Sequence, residues 1–328
     1  MKQLMTILCV FIVLSATAQQ ASIKVKNSRY QRYTDSLKSI DYDYVFPIWG
    51  DKVYKKGFDI PYPAGIMFNT FAAKQNMLID EISLGLNNSS LVDFSDFIKF
   101  SYVQANIRNI NVRPDLYIFP FWNVYGIFGY SWSETRVVLS SPFSLETTAQ
   151  LQGANYGIGT NLAAGFGPVW FSADGNMVWA DLDKFDKPVM AVNTSFRVGH
   201  TFVDERKPYR NIAIWAGAFG SFIDNRTIGA IDLREVLPPG AIGNEIKGSD
   251  WYNDLGPARK AIVDEILDAT ADSDLVINYD LAKRPANPWN MIIGFQYQFN
   301  KNWQLRTEAG IFGERSQFLA SLNYRFRI

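Results

Sequence analysis

The chain has 328 residues, of which 48% are hydrophobic, 15% aromatic and 20% charged. This composition is too apolar for a disordered chain, and the mean hydropathy of −0.08 is too low for a bundle of membrane-spanning helices. The 32 basic and 32 acidic residues balance, which excludes the positive field typical of a nucleic-acid-binding protein. One cysteine and one histidine exclude a disulfide framework and a multi-histidine metal site, so no metal and no cofactor are expected.

The first 18 residues have the pattern of a secretory signal peptide. Lys2 supplies a positive start, residues 4–14 are almost entirely apolar, and Ala16 and Ala18 form a small-residue cleavage site. An N-terminal membrane anchor is the alternative, which the shortness of the apolar run disfavours. The pattern predicts export by the general secretory route, and it removes Cys9, so the mature chain has no cysteine.

A polar segment, 19–40, follows and is predicted to be a periplasmic lead before a domain over 41–328. In that domain apolar and polar residues alternate with a period of two, which is typical of β-strands with two different faces. The last segment is the clearest: Phe318, Leu322 and Tyr324 share one face, and Asn323 and Arg325 share the other.

The alternation predicts an all-β chain of about twelve strands. Eleven candidates are visible in the sequence, at 62–73, 77–88, 98–118, 122–141, 152–165, 167–182, 188–203, 209–229, 287–300, 302–312 and 315–328. A single-chain bacterial barrel has an even number of strands, so a twelfth is expected near Asp41–Trp49, with ten or fourteen as alternatives.

A soluble barrel with an apolar interior would show the same alternation, but three features favour a barrel in a membrane. Short connections, one of them predicted at Lys74–Asn76, alternate with longer ones along the chain. Two aromatic pairs, Trp122 with Trp132 and Trp289 with Phe299, lie ten residues apart on one face, which is about the 25 Å height of an apolar band. The chain also ends on an alternating apolar strand.

With its signal 1–18, its closing strand 318–328 and the stretch from Arg113 to Gly126, the chain resembles Gram-negative outer-membrane β-barrel proteins of an uncharacterised, porin-like kind. The resemblance implies a transmembrane antiparallel β-barrel in the outer membrane. It also implies contact with outer-membrane lipid and lipopolysaccharide, and recognition of strand 315–328 by the barrel-assembly machinery. It does not indicate an oligomeric state.

Residues 230–286 are predicted to form one long extracellular loop. Helical spacing of apolar residues over 258–269, after Gly256 and Pro257, predicts a short helix in it. The loop is either a lid or recognition surface at the mouth of the barrel, or a helical excursion that only covers its rim.

The polar face carries charges that a barrel tolerates only on its wet interior. One hypothesis is a hydrophilic channel whose arginines favour anions; the other is a closed barrel filled by ion pairs. The predicted lumen-lining residues are Glu81, Arg113, Asp115, Asp174, Arg197, Arg306, Glu308, Arg325 and Arg327.

The sequence therefore predicts a passive or selective channel for small hydrophilic solutes. A structural or surface-recognition barrel without flux is the first alternative, and a lipid-modifying barrel enzyme is the second. The enzyme is disfavoured because the only histidine, His200, shares its parity with apolar residues and faces outward near the predicted periplasmic end. No catalytic residue is predicted.

Overall fold

The computed structural model describes residues 28–87, 89–142, 144–166, 169–183, 185, 187–204, 206–223, 226–232, 244–268 and 275–328. The predicted signal peptide, 1–18, lies outside these residues. Thirteen strands are described: β1 Ala64–Leu86, β2 Val92–Asp93, β3 Lys99–Phe119, β4 Trp122–Ser141, β5 Leu145–Phe166, β6 Val169–Leu182, β7 Val189–Val203, β8 Asn211–Ile223, β9 Arg226–Asp232, β10 Val276–Pro285, β11 Trp289–Gln298, β12 Trp303–Ile311 and β13 Arg315–Phe326.

Ten of these strands close into an antiparallel barrel. The order round the wall is β1, β3, β4, β5, β6, β7, β8, β11, β12 and β13, and β13 pairs back onto β1. The closing register runs from Ala64 opposite Phe326 to Gln75 opposite Arg315. We call the end that holds the start of β1 and the end of β13 the base, and the opposite end the mouth.

The barrel has ten strands rather than twelve, for two reasons. The predicted turn at Lys74–Asn76 does not exist, because β1 is one strand of 23 residues that runs through it. No strand is described at Asp41–Trp49, and the chain there leads into a short helix. A period of two reports the two faces of a strand, but it shows neither where a strand ends nor which strand is its neighbour.

Strand β1 changes its partner at Asn76, where the sequence suggested a turn. The backbone N–H of Asn76 donates to the Glu314 carbonyl at 2.9 Å, and the N–H of Ala286 donates to the Asn76 carbonyl at 2.9 Å. From Met77 onwards the neighbour is β10 instead of β13. Strands β1, β10 and β9 therefore extend the wall beyond the β12–β13 hairpin.

A β-bulge between Ile79 and Glu81 inverts the alternation in this extension. Asp80 and Glu81 are both exposed, and Ile82 takes the buried position. Arg284 of β10 pairs with Asp80 at 2.8 Å, so an ion pair lies on the exposed side of the sheet at this level.

The outward face of the barrel is apolar on all ten strands. Trp122, Trp132, Trp289 and Phe299, expected as an aromatic girdle, are exposed on this face. Further exposed apolar side chains from every barrel strand include Phe68, Ile110, Phe128, Ile158, Phe171, Phe196, Ile214, Ile293, Leu305 and Leu322. The closed wall leaves no strand edge in this band, which is the condition for a strand to lie in hydrocarbon.

Two helices, α1 Ser28–Lys38 and α2 Gly50–Lys55, pack together at the base. Their small core is formed by Leu37, Tyr54 and Ile60. The segment is attached to the barrel at several points: the N–H of Ile48 donates to the Ile118 carbonyl at 2.8 Å, and Lys301 pairs with Asp59 at 3.2 Å.

The predicted loop 230–286 is not a plain loop with one helix, because strands β9 and β10 occupy its ends. Between them lie a 3₁₀ helix Asn244–Gly248, α3 Asp250–Asn253 and α4 Pro257–Asp268. We call residues 244–268 the helical cap. Its apolar side chains, among them Leu255, Ile262 and Val263, form one cluster with Ile82, Leu86, Phe94, Leu275 and Ile277.

In the part of the chain described, no helix is both long and apolar enough to cross a membrane.

Replacing Gln75 by alanine tests the partner switch of β1. Gln75 is fully buried, donates to the Asn76 carbonyl at 2.9 Å and accepts from Arg315 at 3.2 Å. Its loss leaves buried polar groups with fewer partners, so we expect the free energy of unfolding to fall by about 1–3 kcal/mol. Urea unfolding in detergent micelles, followed by tryptophan fluorescence, measures the change.

Thr70→Ala is the control, because Thr70 lies on the exposed, outward face of the same strand. Equal stability of the Gln75 variant and the control would show that this side chain does not hold the switch.

Candidate functional site

The inward faces of the barrel strands surround a cavity of about 790 Å³. Towards the base its wall is polar, and towards the mouth it becomes apolar. The polar residues include Asn69, Asn109, Asn111, Asn155, Asn176 and Asn193. The apolar residues include Ile79, Val103, Ile107, Val137, Leu151, Val178, Leu182 and Leu281.

A buried ion pair crosses the lower lumen from β7 to β12. Arg197 Nε lies 2.7 Å from Glu308 Oε2, and a second guanidinium nitrogen lies 3.1 Å from Oε1. The side chains are only 9% and 3% exposed. Arg197 also donates to the Ser195 hydroxyl at 2.6 Å, and Trp215 Nε1 donates to Glu308 at 2.9 Å. This bidentate geometry fixes both charges in place.

Arg306 joins the same carboxylate. A terminal nitrogen of Arg306 lies 3.0 Å from Glu308 Oε2, and its guanidinium lies 5.0 Å from the centroid of the Trp215 ring. The buried Nε of Arg306 has no hydrogen-bond partner among the described residues. The Glu308 carboxylate thus pairs with two arginines.

Arg113 lies near the same level and has no carboxylate within ion-pair distance in the described part of the chain. Its guanidinium stacks 3.5 Å from the centroid of the Tyr125 ring, and its buried Nε has no described partner. The Tyr125 hydroxyl donates to Asp174 at 2.9 Å, and Asn161 donates to the same carboxylate at 3.4 Å. The Asp174 charge is therefore bound by neutral donors.

A second ion pair fills the lumen nearer the base. Arg325 lies 2.9 Å from Asp115, and both side chains are almost fully buried. Arg325 also donates to the Tyr62 and Pro63 carbonyls, at 2.8 and 3.2 Å, and Asn123 donates to Asp115 at 2.7 Å. The chain before β1 is thereby fastened to the barrel interior.

Two residues in the expected set lie elsewhere. Glu81 is exposed because the bulge in β1 turns it away from the buried face. Arg327 lies beyond the end of β13, is exposed, and donates to the Tyr62 hydroxyl at 3.1 Å. The other seven predicted residues lie on the inner wall, in two layers.

Sequence reasoning missed two further cations that line the cavity, Arg315 and Lys283. Arg315 donates to Gln317 at 2.7 Å and to Gln75 at 3.2 Å, both neutral side chains. Its parity matches that of Gln317, so the alternation could have found it. Lys283 lies 5.2 Å from the centroid of the Phe185 ring. It belongs to β10, in a segment that the sequence predicts to be a loop, where a period of two is not expected.

The described residues hold no group of three His, Cys, Asp or Glu side chains that could bind a metal ion. His200 packs against Phe202, with ring centroids 4.4 Å apart, and its Nδ1 has no described hydrogen-bond partner. A histidine without an orienting acid lacks the arrangement that activates a hydroxyl nucleophile.

Replacing Glu308 by glutamine tests the ion pairs in the lower lumen. Arg197 and Arg306 would stay buried without their carboxylate, so we expect the free energy of unfolding to fall by about 3–5 kcal/mol. The control is Glu146→Gln, which breaks the exposed pair with Arg136 and should change stability little. Urea unfolding in micelles compares the two, and equal losses would contradict this account.

No family model matches the chain, and no curated protein matches it. The chain is similar to solved structures of outer-membrane proteins. OprG from Pseudomonas aeruginosa is 10% identical with a TM-score of 0.41, covering 82% of this chain and all of that one. The toluene transporter TbuX from Ralstonia pickettii is 8% identical with a TM-score of 0.31, covering 81% and 90% of the two chains. The translocator domain of NalP from Neisseria meningitidis is 8% identical with a TM-score of 0.32, covering 91% and 94%.

Proposed function

We propose that the protein is a β-barrel of the Gram-negative outer membrane that acts as a selective channel for small solutes. The observation that carries this proposal is the cavity of about 790 Å³ inside a closed barrel with an apolar outer wall. A cavity of this size accommodates a small organic molecule.

The outer wall supports a membrane location. A barrel satisfies every strand-to-strand hydrogen bond internally, and large apolar side chains face outward on all ten strands. In water such a continuous apolar surface would favour aggregation.

The helical cap supports control of access at the mouth. A second cavity of about 250 Å³ lies between the cap and the wall, and it is lined by apolar residues such as Trp251, Ile262 and Val263. It shares Ile79 and Leu281 with the lumen cavity. Movement of the cap would therefore open or close the upper lumen.

The alternative function is a structural barrel without flux, and one observation favours it. Arg197, Glu308 and Arg306 meet inside the lower lumen, and Arg325 and Asp115 meet below them. These pairs narrow the path towards the base, which favours a barrel without flux.

Removing the cap should increase conductance. Asp232 of β9 and Val276 of β10 are paired, so a two-residue Asn-Gly turn can replace residues 233–275 and close the hairpin. We expect larger single-channel conductance in planar bilayers than for the full protein. Silence in both forms would contradict the channel and leave the structural barrel.

Val263→Asp is a milder variant for the case in which the deletion fails to fold. Val263 is 9% exposed in the apolar cluster, so a carboxylate there should loosen the cap and raise the fraction of time that the channel is open. Glu265→Ala is the matched control, because Glu265 is exposed on the same helix.

The membrane location has its own test. We expect the protein to fractionate with the outer membrane and to migrate differently in detergent gels before and after heating, because the closed barrel resists unfolding by detergent. Recovery from the soluble periplasm would contradict the proposal.

A further inference from the structure

The lumen cavity carries more positive than negative charge. Its lining includes five cationic side chains and two carboxylates. The carboxylates are Asp174 and Glu308; the cations are Arg113, Arg197, Lys283, Arg306 and Arg315. The formal net charge of the lining is therefore +3, although the whole chain is neutral.

Four of the cations follow strand β1 from the mouth towards the base, and we call them the cationic row: Lys283, Arg315, Arg306 and Arg113. Lys283 lies opposite Ile79 of β1, and Arg315 lies opposite Gln75. These levels are four residues apart, which is about 13 Å along the strand.

The other two members of the row lie deeper. Arg306 is opposite Ser321, which is itself opposite Asn69 of β1. Arg113 is opposite Met67 on the other side of β1. The row thus extends through the length of the cavity.

The cations of the row are poorly compensated by the described residues. Arg315 contacts neutral amides, Lys283 and Arg113 contact aromatic rings, and Arg306 shares the carboxylate that Arg197 binds with two nitrogens. Arg315 is buried and the other three are partly buried. Cations held partly away from water without a full counter-charge are unfavourable, so an anion entering the cavity would be stabilised.

The upper part of the wall across the barrel from β1, above the pair formed by Asn176 and Asn193, is apolar. Strands β6 and β7 contribute Val178, Ala180, Leu182, Val189 and Ala191 to the cavity. The space beneath the helical cap continues this apolar surface upwards. A solute in the upper lumen therefore meets positive charge on one side and hydrocarbon on the other.

We propose that the lumen binds small amphipathic organic anions, with the anionic group on the cationic row and the apolar body against β6 and β7. This inference rests on the proposed channel function and names its class of solute. An inorganic anion would leave the apolar wall unused, and a neutral hydrocarbon would leave the cations uncompensated.

Calorimetric titration of the full mature protein in phosphatidylcholine nanodiscs tests the proposal, with empty nanodiscs as the blank. The probes are 4-phenylbutyrate, the neutral 4-phenylbutanol and acetate, which lacks the apolar body. We expect 4-phenylbutyrate to bind more tightly than either of the others. Arg315→Gln should weaken its binding by about tenfold or more, because a charge-assisted contact is lost.

Lys283→Gln is a second variant in case Arg315→Gln does not fold, which heat-dependent gel migration reveals. The matched control is Arg327→Gln, the same change at an exposed arginine outside the lumen, and it should bind 4-phenylbutyrate like the unchanged protein. Equal binding of the acid and the alcohol, equal binding of acetate, or equal loss in the control would overturn the proposal.

Binding at equilibrium does not require flux, so the two proposals fail separately. Conductance without binding of 4-phenylbutyrate overturns the amphipathic-anion site alone. Binding without conductance overturns the channel and leaves a barrel that holds its ligand.

Discussion

The closure of β1 against β13 is the constraint on which the rest of the structure depends. Backbone N–H and C=O groups in hydrocarbon must bond to one another, and only a closed sheet pairs them on both sides of every strand. The pairing over Ala64–Gln75 closes a wall of ten strands and separates an apolar outer face from an enclosed lumen. Because β1 continues past this pairing to β10, the same strand also supports the wall under the helical cap.

Inside the barrel, close packing decides where charge can lie. The ring of Trp215 covers Gly294, where an added Cβ would lie 2.1 Å from the ring, and Tyr125 covers Gly159 in the same way. The rings lie flat on the wall, and Trp215 and Tyr125 bond to Glu308 and Asp174. Both carboxylates are thus held low in the lumen, which leaves the cations nearer the mouth without a counter-charge.

The alternation of residues is sufficient to predict a barrel, its polar interior and most of its strands. The reason is that successive residues of a strand face the outer side and the lumen in turn, so a short stretch of sequence shows both environments. Both failures lie on β1, at positions where its pairing with the neighbouring strand is irregular. At Lys74–Asn76 a polar run predicts a turn, whereas Gln75 is a buried residue at a change of strand partner. At Glu81 one extra residue inverted the faces, and a period of two cannot anticipate a bulge.

The sequence by itself determined the class of structure, because each strand carries apolar residues on one face and polar residues on the other. It also supplied seven residues that the barrel brings to the inner wall. Only the tertiary structure decided which charges are paired, because Arg197 and Glu308 are 111 residues apart and meet only when β7, β8, β11 and β12 lie side by side. The unpaired cations beside β1 follow from the same long-range register, which no local pattern encodes.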